Sequence, residues 1–200
     1  MALLRVFLLG VCSVGVCYGY GSGAPRSACE SMTPGHLTNG TGSEPLSPQT
    51  GSAPFGVTVN VDKFGLEDEV EVTIGGDTQN FVGFFIQARV DGEEEAVGSF
   101  SGLNEEKMKY VDCSDTYANE AVTHTNQFPT ATPFESVQLN WTSPKTKIGN
   151  IKFYATVAQN HDIYWVKLES EPLTYNGFTV LSPTLSLLLL PVAVIFTRYL

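Results

Sequence analysis

The chain has 200 residues, of which only 16% are charged, and its formal net charge is −10. Arg5 and Arg198 lie in apolar end segments, so the chain between those segments has nine basic against 21 acidic residues, a net charge of −12. Such an acidic surface repels phosphate backbones and anionic lipid headgroups, which excludes nucleic-acid binders and cationic membrane-lytic peptides.

The first 19 residues have the pattern of a secretory signal peptide. Residues 1–5 are a short, positively charged start, residues 6–16 are an apolar run, and Cys17 and Gly19 supply the small residues of a cleavage site. The apolar run is too short for a membrane-spanning helix. We therefore expect residues 1–19 to be removed and the mature chain to enter the secretory pathway.

Two cysteines, Cys29 and Cys113, remain after that removal. In a secreted chain an even pair of cysteines favours a disulfide. The alternative is a pair of metal ligands, but the sequence has no neighbouring histidine cluster to complete a zinc site. A disulfide that closes so long a loop would stabilise the fold by about 4 kcal/mol in the chain-entropy description.

Apolar and polar residues alternate through most of the chain, a pattern typical of half-buried β-strands. The alternating runs are residues 55–61, 70–74, 82–90, 137–141, 151–157 and 163–168. Turn signals such as Asp91-Gly92 and Gly149-Asn150 separate them, and no convincing helix lies between the end segments. Short strands without crossover helices predict an all-β fold, an antiparallel β-sandwich.

Two segments of this β domain are predicted to be irregular. Residues 21–54 are rich in Gly, Ser, Thr and Pro, and residues 114–135 have few periodic apolar positions. The second segment offers Tyr117, His124 and Phe128 as a possible contact loop for a ligand. The alternative is that this segment only covers an edge of the sandwich.

The sequence contains no recognisable catalytic or metal-binding pattern. The three histidines, His36, His124 and His161, lack the spacing of metal ligands, and there is no G-x-S-x-G nucleophile elbow. The acidic run at residues 91–95 lacks the alternating spacing of a calcium loop and is typical of a solvated hairpin tip. We therefore expect a non-enzymatic protein without a cofactor or bound metal.

Two N-glycosylation sequons begin at Asn39 and Asn140. Asn140 falls on the polar face of its predicted strand, opposite Trp141, which favours exposure. Sequons also arise by chance, so the alternative for each is an unused site.

The C-terminal segment contains an uncharged run at residues 178–196. It has three interpretations: a removable lipid-anchor signal with attachment near Asn176, a single spanning helix, or a buried core helix. The first two attach the protein to a membrane. Release of the protein from cells by a phospholipase would distinguish the lipid anchor from the spanning helix.

The order of several segments resembles the reeler (reelin-type N-terminal) domain. The most specific piece is Phe81-Val82-Gly83-Phe84-Phe85-Ile86-Gln87-Ala88-Arg89. The other segments are residues 21–25, 28–29, 32–36, 54–55, 97–100, 113, 122–124, 141–144, 149–157 and 164–166. The resemblance implies an immunoglobulin-like β-sandwich in which Cys29 and Cys113 are partners. A second cysteine pair found in some members is absent here.

The resemblance also sets the expected organisation and function. Together with the patterns of the two ends, it gives an expected organisation of a signal peptide at residues 1–19, a reeler domain at residues 20–172, and a hydrophobic anchor at residues 173–200. Small secreted members are linked to innate defence, so the expected function is a recognition module on the outer face of the plasma membrane that binds a microbial surface or a matrix component. The alternatives are an adhesion module and an accessory of reeler-containing ferric-chelate reductases, although such reductases need haem ligands and several spanning helices.

Overall fold

The computed structural model of the protein describes residues 21–38, 44–76, 78–125 and 133–177. Within these residues the chain forms a short 3₁₀ turn at Arg26–Ala28 and a series of β-strands. The strands are β1 (Gly56–Val59), β2 (Lys63–Phe64), β3 (Glu69–Gly75), β4 (Gly83–Val90), β5 (Ser99–Ser101), β6 (Met108–Val111), β7 (Ala121–His124), β8 (Ser136–Thr142), β9 (Ile151–Ala158), β10 (Tyr164–Glu169) and β11 (Thr174–Tyr175).

Most of these strands belong to two antiparallel sheets. One sheet has four strands in the order β1-β3-β8-β5, and the other has five in the order β10-β9-β4-β7-β6. The short strands β2 and β11 pair in parallel as a separate two-stranded sheet. The expectation of an all-β, immunoglobulin-like antiparallel sandwich is confirmed.

The facing sides of the two larger sheets form one hydrophobic core. The four-stranded sheet contributes Val72 and Leu139, and the five-stranded sheet contributes Ile86 and Phe153, all of them buried. In β3 and β8 buried residues alternate with more exposed ones, as expected for strands with one face in the core and one in water. In β4, by contrast, every residue from Gly83 to Arg89 is buried. The second face of β4 must therefore also be covered.

The prediction that residues 114–135 are irregular is partly wrong, because this segment contains strand β7. Ala121, Val122 and Thr123 are fully buried, and β7 lies between β4 and β6 in the five-stranded sheet. Alternation could not reveal this strand, because four residues are too few for a period and both of its faces are buried.

The C-terminal end of the fold also extends past the expected boundary at residue 172. Leu173 is fully buried and forms a bridge to Ile151, and Thr174 and Tyr175 pair with β2. The anchor region expected to start at residue 173 therefore overlaps the last strand of the sandwich.

Trp141 at the centre of the core requires a glycine beside it. The indole Nε1 donates a hydrogen bond to the backbone oxygen of Val97 at 2.9 Å. Gly98 has φ +71°, and a Cβ atom at Gly98 would lie 2.5 Å from the Trp141 ring. Gly98 thus permits both the left-handed backbone and the close approach of the indole.

We predict that Gly98→Ala lowers the free energy of unfolding by about 3 kcal/mol, because left-handed strain adds to an overpacked contact. Gly92→Ala is the matched control. Gly92 has φ +87° but nothing within 4 Å of an added Cβ, so this change should cost only about 1 kcal/mol, from backbone strain alone. Urea unfolding followed by tryptophan fluorescence measures both, and equal losses would contradict the role assigned to the indole contact.

Candidate recognition site

The outer face of the five-stranded sheet is covered by residues 21–38 and 44–51, here called the strap. The strap crosses β7, β4 and β9 in turn and reaches the edge of β10, with a hydrogen bond to each strand. The bonds are Ala24 N to Thr123 Oγ1 (3.0 Å), Gln87 Nε2 to Cys29 O (2.7 Å), Thr156 Oγ1 to Met32 O (2.7 Å) and Gln49 N to Tyr164 O (2.8 Å). The strap therefore binds the sheet mainly through its own backbone.

A disulfide between Cys29 and Cys113 fixes the strap covalently to the chain that follows β6, with 5.6 Å between the two Cα atoms. A second hydrophobic cluster lies around the bridge, where Met32 of the strap packs with Phe85 and Ala121 of the sheet. The predicted pairing of the two cysteines is confirmed.

Arg89 of strand β4 hydrogen-bonds to the backbone of the strap. Its side chain is only 2% exposed, and its Nη2 donates to the backbone oxygens of Cys29 at 2.7 Å and Glu30 at 2.9 Å. The guanidinium carbon lies 5.5 Å from the centre of the Tyr154 ring. Burial lowers the pKa of Arg89, and the carboxylate of Glu94, whose Oε2 lies 3.8 Å from Nη1, opposes that shift.

In the alternating run at residues 82–90, Gln87 and Arg89 fall on the polar side, and in the structure they lie on the face of β4 that points away from the core. Their complete burial under the strap was missed. The available signal was the combination of polar residues on that strand face with a long Gly- and Pro-rich segment carrying a cysteine. Buried side-chain donors on the sheet need acceptors, and the backbone carbonyls of an irregular segment need donors, so the two surfaces can satisfy each other by hydrogen bonds.

The loop between β6 and β7, residues 112–120, is tightly organised. Glu120 is fully buried, and its carboxylate accepts hydrogen bonds from the backbone N and the hydroxyl of Ser114. Asn119 N donates to Asp112 Oδ1 at 2.7 Å. This loop holds Tyr117 half-buried at its surface.

Two of the predicted contact residues, Tyr117 and His124, lie on either side of the start of strand β7. Tyr117 lies in the loop before β7, whereas His124 is the last residue of that strand. His124 Nδ1 accepts a hydrogen bond from Phe84 N at 3.1 Å, and burial lowers the pKa of His124. His124 therefore supports β4, and Phe128 lies outside the described residues.

Two histidines distant in sequence meet at the end of the strap. The rings of His36 and His161 stack with centroids 4.6 Å apart, and Tyr164 packs edge-on to His36 at 5.2 Å. Burial and the neighbouring His161 lower the pKa of His36 from 6.5 to about 4. His161 Nδ1 lies 2.6 Å from Asp162 Oδ1. Across the described part of the chain, no group of three His, Cys, Asp or Glu side chains is arranged to hold a metal ion.

Two of the predicted modification and anchor residues, Asn140 and Asn176, lie outside the strap. Asn140 is half-buried on β8, between Glu71 of β3 and Ser101 of β5. Asn176 is exposed, and its backbone N donates to Phe64 O at 2.8 Å. Asn39, the expected signal peptide and the apolar run at residues 178–196 lie outside the described residues. No helix among the described residues is long and apolar enough to span a membrane.

The two antiparallel sheets and the disulfide-bound strap define an immunoglobulin-like β-sandwich of extracellular type. The sequence matches the family model of the reeler domain over residues 27–179. The chain therefore belongs to the reeler-domain family.

Several relatives are similar over most of this chain. "Defense protein l(2)34Fc" of Drosophila melanogaster is 32% identical over 82% of this chain and 94% of its own length. "Putative defense protein 3" of Antheraea mylitta is 33% identical over 78% of this chain and 86% of its own length. "Putative ferric-chelate reductase 1" of Danio rerio is 32% identical over 86% of this chain, but the match spans only 28% of that protein.

A solved structure has the same fold. The human F-spondin reeler domain has a TM-score of 0.52 and 21% identity, and it covers 65% of this chain and 94% of the F-spondin fragment.

We predict that Arg89→Met lowers the free energy of unfolding by about 2 kcal/mol, because two strap carbonyls lose a charged donor. Hydrogen exchange should show the loss concentrated in the strap. Lys152→Met is the matched control, since Lys152 pairs with Arg89 in register but makes exposed ion pairs with Asp91 and Glu169. The control should change little. A loss of protection spread evenly over both sheets would contradict the strap-specific role.

Proposed function

We propose that this chain is a non-enzymatic, extracellular recognition module of innate defence. The observation that carries the proposal is the coverage of the relatives. The chain matches 94% of one relative named a defense protein and 86% of another, but only 28% of a relative named as a ferric-chelate reductase. The similarity to defense-named relatives thus extends over nearly their whole length. The reductase match is restricted to a fraction of that protein and gives no support to reductase activity in this chain.

The loop at residues 112–120 is the proposed contact surface. Glu120 and Ser114 fix its backbone, so little conformational freedom would be lost when a ligand binds. Tyr117 offers an aromatic ring and a hydroxyl at the surface of this loop. The hydrogen bond of His124 to β4 supports a structural role for that residue, so Tyr117 is preferred as the contact residue. Phe128 stays part of the proposal.

A glycan on Asn140 and an anchor beyond Asn176 would attach to other strands than β6 and β7, which flank this loop. A glycan on Asn140 would cover the outer face of the four-stranded sheet, on the side opposite the strap. The backbone of Asn176 is bound to β2, so an anchor beyond it would hold the β2–β11 end of the sandwich towards the membrane. Both features require the secretory route that the first 19 residues predict.

We predict that the purified domain binds microbial cells or isolated microbial surface glycans with weak salt dependence. Because the domain is acidic, long-range attraction to anionic surfaces cannot contribute, so affinity should change less than about threefold between roughly 0.05 and 0.5 M salt. Tyr117→Ala should weaken binding about tenfold. Leu66→Ala, at a residue 47% exposed, is the control and should bind as the unaltered protein does.

The absence of binding to every surface tested, together with normal survival of infected animals that lack the protein, would overturn the defence role. A steep loss of affinity with added salt would show instead that charge drives recognition.

A further inference from the structure

The second half of the strap contains a small hairpin, here called the His36 hairpin, formed by residues 36–38 and 44–46. Leu46 N donates to His36 O at 2.8 Å, and Thr38 N donates to Glu44 O at 2.9 Å. The hairpin and the residues after it cover the start of β10. The Tyr164 hydroxyl donates to Leu46 O, and Trp165 Nε1 donates to Gly51 O at 3.2 Å.

His36 is the contact between this hairpin and the β9–β10 turn. Its ring stacks on His161, and its Nδ1 atom is buried without a hydrogen-bond partner among the described residues. A proton on that ring would place a charge against a neighbouring imidazole with little access to water. Such a charge is costly unless it is solvated or paired.

The titratable groups around His36 come from three elements. His161 and Asp162 lie in the β9–β10 turn, Tyr164 begins β10, and His124 ends β7. A hydrogen bond with the His161 backbone and the carboxylate of Asp162 favour a charge on His36, whereas the imidazoles of His161 and His124 oppose it. Asp162 is already engaged with His161 Nδ1 at 2.6 Å, so it does not offset the burial of His36.

We propose that the His36 hairpin is an acid-released cover over the first residues of β10. In mildly acidic surroundings His36 takes up a proton, the stacked pair separates, and the hairpin leaves Tyr164 and the edge of β10 open to solvent. The disulfide and Arg89 keep the first part of the strap in place. This device is independent of which ligand the module recognises.

The direction of the effect follows from proton linkage. In the closed form the pKa of His36 is lowered from 6.5 to about 4. The stabilisation of the closed form by neutral His36 is therefore fully present above pH 6.5, the pKa of a free histidine. That preference is lost as the pH falls from 6.5 towards 4. Between about pH 7.4 and about pH 5, the equilibrium constant for opening should rise on the order of tenfold.

Hydrogen exchange at these two pH values tests the proposal. Protection factors, which correct for intrinsic exchange rates, should fall on the order of tenfold at pH 5 for the amides of Leu46 and Gln49. Amides in β3 and β8, which belong to the other sheet, should not respond. His36→Phe keeps an uncharged stacking ring, so protection of the hairpin should become independent of pH. His124→Gln is the control and should keep the response.

A pH response that persists in His36→Phe, or equal protection at both pH values in the unaltered protein, would overturn the proposal. If His36→Phe does not fold, the NMR titration of the His36 ring in the unaltered protein decides. A midpoint well below the ordinary range supports the proposal, and a midpoint near 6.5 contradicts it. Neither outcome depends on whether the domain binds microbial surfaces.

Discussion

The covering of the five-stranded sheet by the strap is the interaction on which the rest of the structure depends. The outer face of this sheet carries Gln87, Arg89 and Thr156, polar side chains that would normally contact water, and all three are buried. Each donates to a backbone oxygen of the strap. Because buried donors without partners are costly, strap and sheet each depend on the other. The disulfide keeps the two surfaces together.

This arrangement makes the two sheets unequal. The four-stranded sheet has one face in the core and one polar face that carries Asn140. The five-stranded sheet is covered on both faces along β4 and β7. On the side of the five-stranded sheet, the surfaces available to a ligand are therefore the loops, the strap itself and the sheet edges. The organised loop at residues 112–120 contains Cys113, so the disulfide supports both the strap and the start of the proposed contact surface.

The sequence predicted most of the core strands because alternation is a strong signal wherever one face is buried and the other is wet. Strands β3 and β8 are examples. The compartment implied by the signal peptide predicted the disulfide, and the family resemblance implied the same pairing. The strands β2, β5, β7 and β11 have two to four residues and are too short to show a period. Burial of Arg89 and the stacking of His36 on His161 depend on how the strap crosses the sheet, which no local pattern records.

The most direct test of the central claim is hydrogen exchange of the double variant Cys29→Ser/Cys113→Ser. Loss of the bridge should lower the free energy of unfolding by about 4 kcal/mol. Under native conditions the amides of Ala24 and Met32, which are hydrogen-bonded at 3.0 and 2.7 Å, should lose protection far more than those of β3 and β8. Strap amides as protected as in the unaltered protein would show that the disulfide does not hold the strap on the sheet, and would contradict the account.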